Sequence, residues 1–228
     1  MNVLVIGNKG RMGSTLFRIL SESGNSVTGI DFHNNGNMDD LIDQADVAVI
    51  ATPFNATVDY LNDLSSRITC IEVTSSKCAM QKFRNRMISI HPLFGPHSFR
   101  NNSLKNIIYI SDISPSGSLK LLQTLFADFN IIPMTAIEHD FLISRIQVIP
   151  YIMSLLAKQL SYNTVIKTRS KNILDAVAAI CDEQNMTVLR DTIVMNPFSI
   201  DVFDEIEKQV KRLGGEMSDS CSNFWLQH

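Results

Sequence analysis

The stretch MNVLVIGNKGRMGSTLFRIL, residues 1–20, decides how the whole chain is read. Asn2 to Ile6 is an unbroken apolar run of Val, Leu and Ile, the pattern of a strand buried on both faces. GNKGRMG follows at 7–13, and STLFRIL after it has apolar residues at helical spacing. A strand that enters a glycine-rich turn and leaves as a helix is the opening of a dinucleotide-binding unit. Gly7 can make the tight turn, Gly10 lets the backbone approach a pyrophosphate, and Gly13 lets the helix pack closely on the strand. The turn residues Asn8, Lys9, Arg11 and Met12 and the free amides of the helix start would then hold the phosphates. The spacing is GxxGxMG rather than GxGxxG, so the flanking strand and helix carry the assignment as much as the glycines do.

The next apolar run outward, SVTGI at 26–30, ends in Asp31, 21 positions past Gly10. An acid at that distance accepts hydrogen bonds from the ribose hydroxyls of NAD and repels the extra phosphate of NADP. FHNN at 32–35 supplies no Arg to hold such a phosphate, though His33 could favour NADP if cationic. NAD is the expected cofactor. The plainer alternative has the glycines serving packing and Asp31 capping a loop, and the matching context weighs against it.

Five more runs of the same kind follow: DVAVI, ITCIEV, MISI, NIIYI and NIIPM, several bounded by Gly, Asn, Asp or Pro. Helical spacing lies between the early ones, as in Met12 to Leu20 and Ala56 to Leu64. Strands without polar alternation, alternating with helices, predict an α/β fold: a Rossmann-type doubly wound, mostly parallel sheet covered on both faces. After Pro133 the pattern becomes helical to about Leu213. The expected division is a dinucleotide-binding domain at 1–135 and a smaller all-helical domain at 136–228. Thr135 and Glu138 in TAIE have capping-box spacing. The run FLISRIQVIPYIMSLLAKQL, apolar on most sides, predicts a buried helix. Pro150 should kink it, by removing a backbone donor and crowding the carbonyl of Ile146. The serine-rich residues 216–222 read as a loose tail.

Composition narrows the function classes. With 45% hydrophobic and 19% charged residues, the chain resembles an ordinary globular protein. A net charge of −3 gives no reason to expect nucleic acid or an anionic membrane as partner. No run is read as a membrane span and no signal peptide opens the chain, so a cytoplasmic protein is expected. Cys70, Cys78, Cys181 and Cys221 show no zinc-like spacing, and no metal is expected.

In a doubly wound sheet, ligands bind outside the carboxyl ends of the strands. Thr52 and Pro53 lie past DVAVI, Thr74, Ser75, Ser76 and Lys77 past ITCIEV, and His91 past MISI. His91 therefore falls where the nicotinamide end of a cofactor should be. Pro92 and the Gly95-Pro96 pair supply a rigid frame, and an imidazole so held suits acid–base work near neutral pH. A lone histidine at a strand end is more commonly structural; the rigid surround favours the functional reading.

GNKGRMG, Asp31, ATPFN, EVTSSK, HPLFGP and IEHD occur in the order and approximate spacing of the prephenate dehydrogenases, the TyrA family of tyrosine biosynthesis. HPLFGP resembles that family's HPMFGP, EVTSSK its D-x-x-S-x-K segment, and MNPFSIDVFDEI its NPxLYxDI stretch. The likeness covers about the first 150 residues well and the rest loosely. It implies an oxidative decarboxylation: hydride passes to NAD⁺ from the hydroxyl-bearing ring carbon of prephenate, CO₂ leaves, and 4-hydroxyphenylpyruvate results. On this resemblance His91 accepts the proton of the ring hydroxyl, and must be neutral to do so. Ser75 bonds the same hydroxyl or orients His91, or else only ties off its own strand. Lys77 reads as a helix-start or surface lysine.

The sequence departs from the family at IQVIP, where Pro150 stands in place of an arginine. Arg145, Arg190 or Arg100 could supply the missing cation for a substrate carboxylate, and His97 replaces a common acid. The helical domain is short for the family, in which it helps form the substrate pocket and a homodimer interface. A fused mutase or regulatory domain has no room in this sequence. Arogenate dehydrogenase, with the same chemistry on an amino-bearing substrate, is a standing alternative. So is a non-catalytic NAD(H) sensor, and a pyrroline-5-carboxylate or β-hydroxyacid-type dehydrogenase would share the glycine turn without explaining HPLFGP.

Overall fold

All seven apolar runs are strands. They are β1 (Asn2–Ile6), β2 (Ser26–Ile30), β3 (Val47–Ile50), β4 (Thr69–Glu72), β5 (Ile88–Pro92), β6 (Asn106–Ile110) and β7 (Asn130–Met134). The computed structural model describes residues 1–31, 38–94, 105–166 and 168–227, with 219–227 by backbone alone. The expectations placed on His33, on the Gly95-Pro96 turn, on His97 and on Arg100 lie outside the described residues, as does the side chain of Cys221.

The strands form one sheet in the order β2-β1-β3-β4-β5-β6-β7. β1 to β5 are mutually parallel; β6 runs antiparallel to β5 and parallel to β7. Strand order reverses between β2-β1 and β1-β3, so the crevice expected to take a ligand opens beside the carboxyl end of β1. Pro133, which cannot donate to a ladder, lies in the terminal strand β7, where an edge tolerates it.

Helices α1 (Arg11–Glu22), α2 (Met38–Gln44), α3 (Phe54–Leu64) and α4 (Ser118–Leu125) cover the sheet. Leu16, Ile19 and Leu20 of α1 pack with Leu122 and Leu125 of α4 on one face, against Val3, Val5 and Ile90. On the other face Leu61 and Leu64 of α3, Ile42 of α2 and the 3₁₀ turn Cys78–Phe83 pack against Leu4, Ile6 and Ile50. Fully burying each aliphatic side chain contributes about 1.5–3 kcal/mol.

The remainder is helical: α5 (Ala136–Ile143), α6 (Ile149–Leu160), α7 (Arg169–Glu183), α8 (Met186–Val194) and α9 (Ser199–Gln227). Thr135 accepts from the Glu138 amide and Glu138 reaches back to the Thr135 amide, completing the capping box. The break caused by Pro150 takes the form of a π-helical turn, Ser144–Val148, between α5 and α6. Widening the helix there leaves the proline ring in the first turn of α6, where no α-helical bond needs its missing donor. Val148 and Ile152 join Cys181, Leu189, Ile193 and Val202 in a second, smaller core.

Three expectations about the helical part are corrected. Residues 216–222 are helical, because α9 continues through them; Lys211–Glu207 and Arg212–Glu216 pairs at i,i+4 support it across Gly214 and Gly215. The helix read as buried leaves Ile137, Phe141, Ile146, Met153, Leu156 and Leu160 exposed in the single chain. Against the expectation of no such run, Ala136–Leu160 is also long and apolar enough to cross a membrane by length and hydropathy, with 39% of its most apolar window buried.

Candidate active site

The glycine turn is as tight as its spacing implied. Gly7 has φ +84°, and a Cβ there would lie 2.6 Å from the carbonyl oxygen of Ala51 at the end of β3. A Cβ on Gly13 would lie 2.0 Å from the Gly7 oxygen, so α1 is seated directly on the turn. Gly10 precedes α1, which has no side-chain cap and no acid in its first turn. The first-turn amides of Arg11, Met12 and Gly13 have no helical acceptor and point at the crevice, a ready anion site. The Asn8 amide differs from expectation: together with that of Gly7 it donates to the Ile30 oxygen, at 3.4 and 2.8 Å. The Asn8 side chain lies against Gly29 of β2, where any Cβ would collide with it, and its Oδ1 is buried with no partner among the described residues. A cradle closed to side chains, an uncapped helix start and an orphaned polar oxygen fit a dinucleotide.

The rim is completed by the other expected residues and by the helical part. Thr52 bonds Thr57 across the start of α3 at 2.9 Å, and Pro53 caps that helix. Arg11 donates to the carbonyl of Glu183 at the end of α7, and the Asp191 carboxylate of α8 accepts from the Phe54 amide at 3.3 Å. Lys9 is exposed and Asp31 half-buried at the end of β2.

A buried polar network underlies His91. Glu72, the last residue of β4, accepts at Oε1 from Lys77 Nζ at 2.7 Å and from the Ser89 hydroxyl, and at Oε2 from the Thr74 amide and hydroxyl. Lys77 Nζ also donates to the Ile90 carbonyl at 2.7 Å, directly before His91. Lys77 and Glu72 are fully buried. Burial pulls the Lys77 ammonium down from its ordinary value while Glu72 opposes the fall. Of the two readings of Lys77, the helix start holds, since it stands at the N-cap of the 3₁₀ turn Cys78–Phe83, and the surface position is corrected: the paired carboxylate makes an interior position tolerable.

His91 Nδ1 lies 2.9 Å from His139 Nε2, and His139 Nδ1 lies 2.8 Å from Asp140 Oδ1. Asp140 Oδ1 also accepts the Lys77 amide at 2.9 Å, and Oδ2 accepts the Cys78 amide at 2.8 Å. The Asp140 carbonyl accepts from Asn196 Nδ2 at 2.8 Å, which ties in the MNPF stretch. Burial, then His139 and Lys77, holds the His91 imidazole well below its usual value, so it is neutral at pH 7. Burial lowers His139 too, with Asp140 opposing. Burial, with Asp140 adding to it, pushes the Cys78 thiol up to about 12, so it is not a nucleophile. Among the described residues no group of three or more His, Cys, Asp or Glu could hold a metal ion.

His91, Thr52, Pro53 and the glycine turn therefore share the carboxyl edge of the sheet. Ser75 is half-buried at the same edge, and His91 Nδ1 bonds His139. Arg145 is exposed, its guanidinium 5.6 Å from the Phe141 ring centre, and Arg190 is exposed on α8 beside Asp191. His139, Asp140 and Glu72 are site residues to which the sequence assigns no role, although IEHD and EVTSSK contain them. A signal for two of them exists: IEHD places His and Asp in the first turns of an apolar helix, where burial demands partners.

No family model matches the sequence. The fold is that of the prephenate and arogenate dehydrogenases. A prephenate dehydrogenase from A. aeolicus, solved with hydroxyphenyl propionate and NAD⁺, superimposes with a TM-score of 0.73 at 16% identity, over 96% of this chain and 92% of that one. An arogenate dehydrogenase from Synechocystis gives 0.67 at 15%, over 96% and 93%. An NADH-preferring ketol-acid reductoisomerase from an uncultured archaeon gives 0.51 at 13%, over 96% and 89%. The chain thus shares its fold with these structures along nearly its whole length, and of the three it is most like the prephenate and arogenate enzymes.

Proposed function

We propose that the protein is an NAD-dependent dehydrogenase that converts prephenate to 4-hydroxyphenylpyruvate. The observation that carries this reading is the neutral imidazole of His91, fixed by a buried hydrogen bond at the end of β5, on the same sheet edge as the glycine cradle. The six ordered sequence motifs and the shared fold support it. The nicotinamide, when bound, supplies the hydride acceptor. His91 takes the proton of the ring hydroxyl while hydride leaves the same carbon. The bond to the ring carboxylate then breaks, CO₂ departs, the electron pair of that bond makes the ring aromatic, and the resulting phenolate oxygen takes its proton back from His91. General-base help of this kind contributes roughly 10²–10⁴-fold. Ser75 is assigned a hydrogen bond to the same hydroxyl.

Asp31 selects NAD over NADP by accepting from the ribose hydroxyls. Of the arginines, Arg190 is assigned to a substrate carboxylate, because its helix touches the sheet edge through Asp191 and Phe54. The six exposed apolar residues of α5, the π turn and α6 form one stripe at helical spacing, and we assign it to a second copy of the chain. The setting is cytoplasmic.

The test is NADH formation by purified protein with NAD⁺ and either prephenate or arogenate, with His91→Asn alongside. Turnover of prephenate and a loss of at least about 100-fold in the variant support the reading. Preference for arogenate would move the substrate assignment. A variant as active as the parent removes His91 from the chemistry. No turnover despite NAD⁺ binding would leave a dinucleotide-binding protein that senses NAD(H).

A further inference from the structure

We infer that His139 and Asp140 are positioning residues: they fix the ring protons of His91 so that its Nε2 always carries the lone pair. Two buried rings and a carboxylate form a chain, and only one end of that chain has a fixed polarity. Asp140 faces three N–H groups: the Lys77 amide and His139 on Oδ1, and the Cys78 amide on Oδ2. Donors on both oxygens call for an ionised carboxylate, which can only accept. His139 Nδ1 must therefore carry the proton. In a neutral ring its Nε2 is then the acceptor, so the bond at 2.9 Å must be donated by His91 Nδ1. His91 Nε2 is left without a proton, which is the form a base needs.

The plainer reading is that Asp140 merely fastens α5 to the amides before the 3₁₀ turn and that His139 fills space. It does not require the 2.9 Å contact between the rings, nor a second buried histidine aimed edge-on at the first with centroids 5.1 Å apart. Which ring nitrogen holds the proton makes no difference to packing, yet it decides whether His91 can accept. The inference rests on the reading of His91 as a base for its functional meaning, while its structural content can be measured with no substrate at all.

The experiment is ¹⁵N NMR of the imidazole rings in the whole protein at pH 7, with the His91 signals assigned by their loss in His91→Asn. In the parent, Nδ1 of His91 should be protonated and Nε2 bare. A His91 ring found protonated at Nε2 overturns the inference, and the ring form itself is read in the parent protein. In His139→Leu the acceptor is gone, so the bare-Nε2 form should cease to dominate and kcat should fall by about 100-fold or more while the KM for NAD⁺ holds. His139→Gln, whose side-chain oxygen can accept from Nδ1, should restore the parent form and most of the activity. A His139→Leu variant that keeps the parent ring form also overturns the inference. If the ring form is as stated but neither prephenate nor arogenate is turned over, the proposed function fails and the positioning stands. Turnover with the opposite ring form overturns the positioning and leaves the proposed function standing.

Discussion

Lys77 Nζ lies 2.7 Å from Glu72 Oε1, with both side chains fully buried, and reaches across to the Ile90 carbonyl that precedes His91. A sealed ion pair thus holds the end of β5 in place. Removing one partner strands the other as an uncompensated interior charge. Lys77→Met should therefore lower stability by about 3–5 kcal/mol, a Tm drop on the order of 10 °C for a chain of this size. Joining Glu72→Gln to it should recover part of the loss, since the two residues are coupled. Urea unfolding of the two single variants and the double variant reads this directly; additive losses would mean the pair is not an interacting unit.

His91 resists protonation in the folded state because of burial, His139 and Lys77. Its folded pKa is below the ordinary value of 6.5, so between those two values the unfolded chain binds a proton that the folded chain refuses. The contribution of His91 to stability is complete above 6.5 and declines as the pH falls below it. Activity should accordingly stay level from neutral pH down past 6.5, with its acid limb displaced to lower pH. A limb in kcat/KM centred at or above 6.5 would assign the titrating group elsewhere.

Gly13 tolerates no side chain, since a Cβ would sit 2.0 Å from the Gly7 oxygen. Gly13→Ala should lift α1 from the turn, with an overpacking cost of about 1–3 kcal/mol. Expressed in binding, that cost weakens NAD⁺ by roughly thirtyfold, within about fivefold to over a hundredfold. Calorimetric titration of the folded variant measures it, and an unchanged Kd would place the cofactor away from this turn.

Asp31→Ser removes the carboxylate that accepts from the ribose hydroxyls and repels a phosphate on that sugar. NAD⁺ binding should weaken by about 1–3 kcal/mol, while NADP⁺ binding improves or holds. The ratio of the two Kd values is the decisive readout, and a ratio that stays at the parent value would remove Asp31 from cofactor choice.

The exposed stripe of Ile137, Phe141, Ile146, Met153, Leu156 and Leu160 should be covered by a second copy. Light scattering should give twice the chain mass for the parent, and Phe141→Glu with Leu156→Glu should shift it to the monomer. A monomeric parent would leave the stripe to another apolar surface, and detergent dependence of solubility would point to lipid.

Much of the fold is legible in the sequence because burial on both faces of a parallel sheet leaves nothing for a strand to alternate. NVLVI, DVAVI and NIIYI can therefore be read as strands from residue type alone. Thr135 and Glu138 are legible because a capping box is local in sequence. The partners of His91 are not. His139 is 48 residues away, and no local pattern links a strand end to the first turns of a distant helix. Lys77 is legible as a helix start but not as a buried residue, because a lysine's burial depends on its counter-charge, and Glu72 sits at the end of an otherwise apolar run. The helix through 216–222 is hidden because serine and glycine argue for a break, while the i,i+4 pairs just before them carry the helix onward.

The π-helical turn at Ser144–Val148 acts as a phase shifter. Its wider turn takes up about one extra residue, which is worth roughly 100° of rotation about the axis. Ahead of it, Ala136, His139, Asp140 and Ile143 are buried; its last residue, Val148, and Ile152 beyond it belong to the helical core. The slip in sequence register is thereby absorbed, so that one continuous rod serves both cores, and that slip is written into the chain by the residues around a single proline.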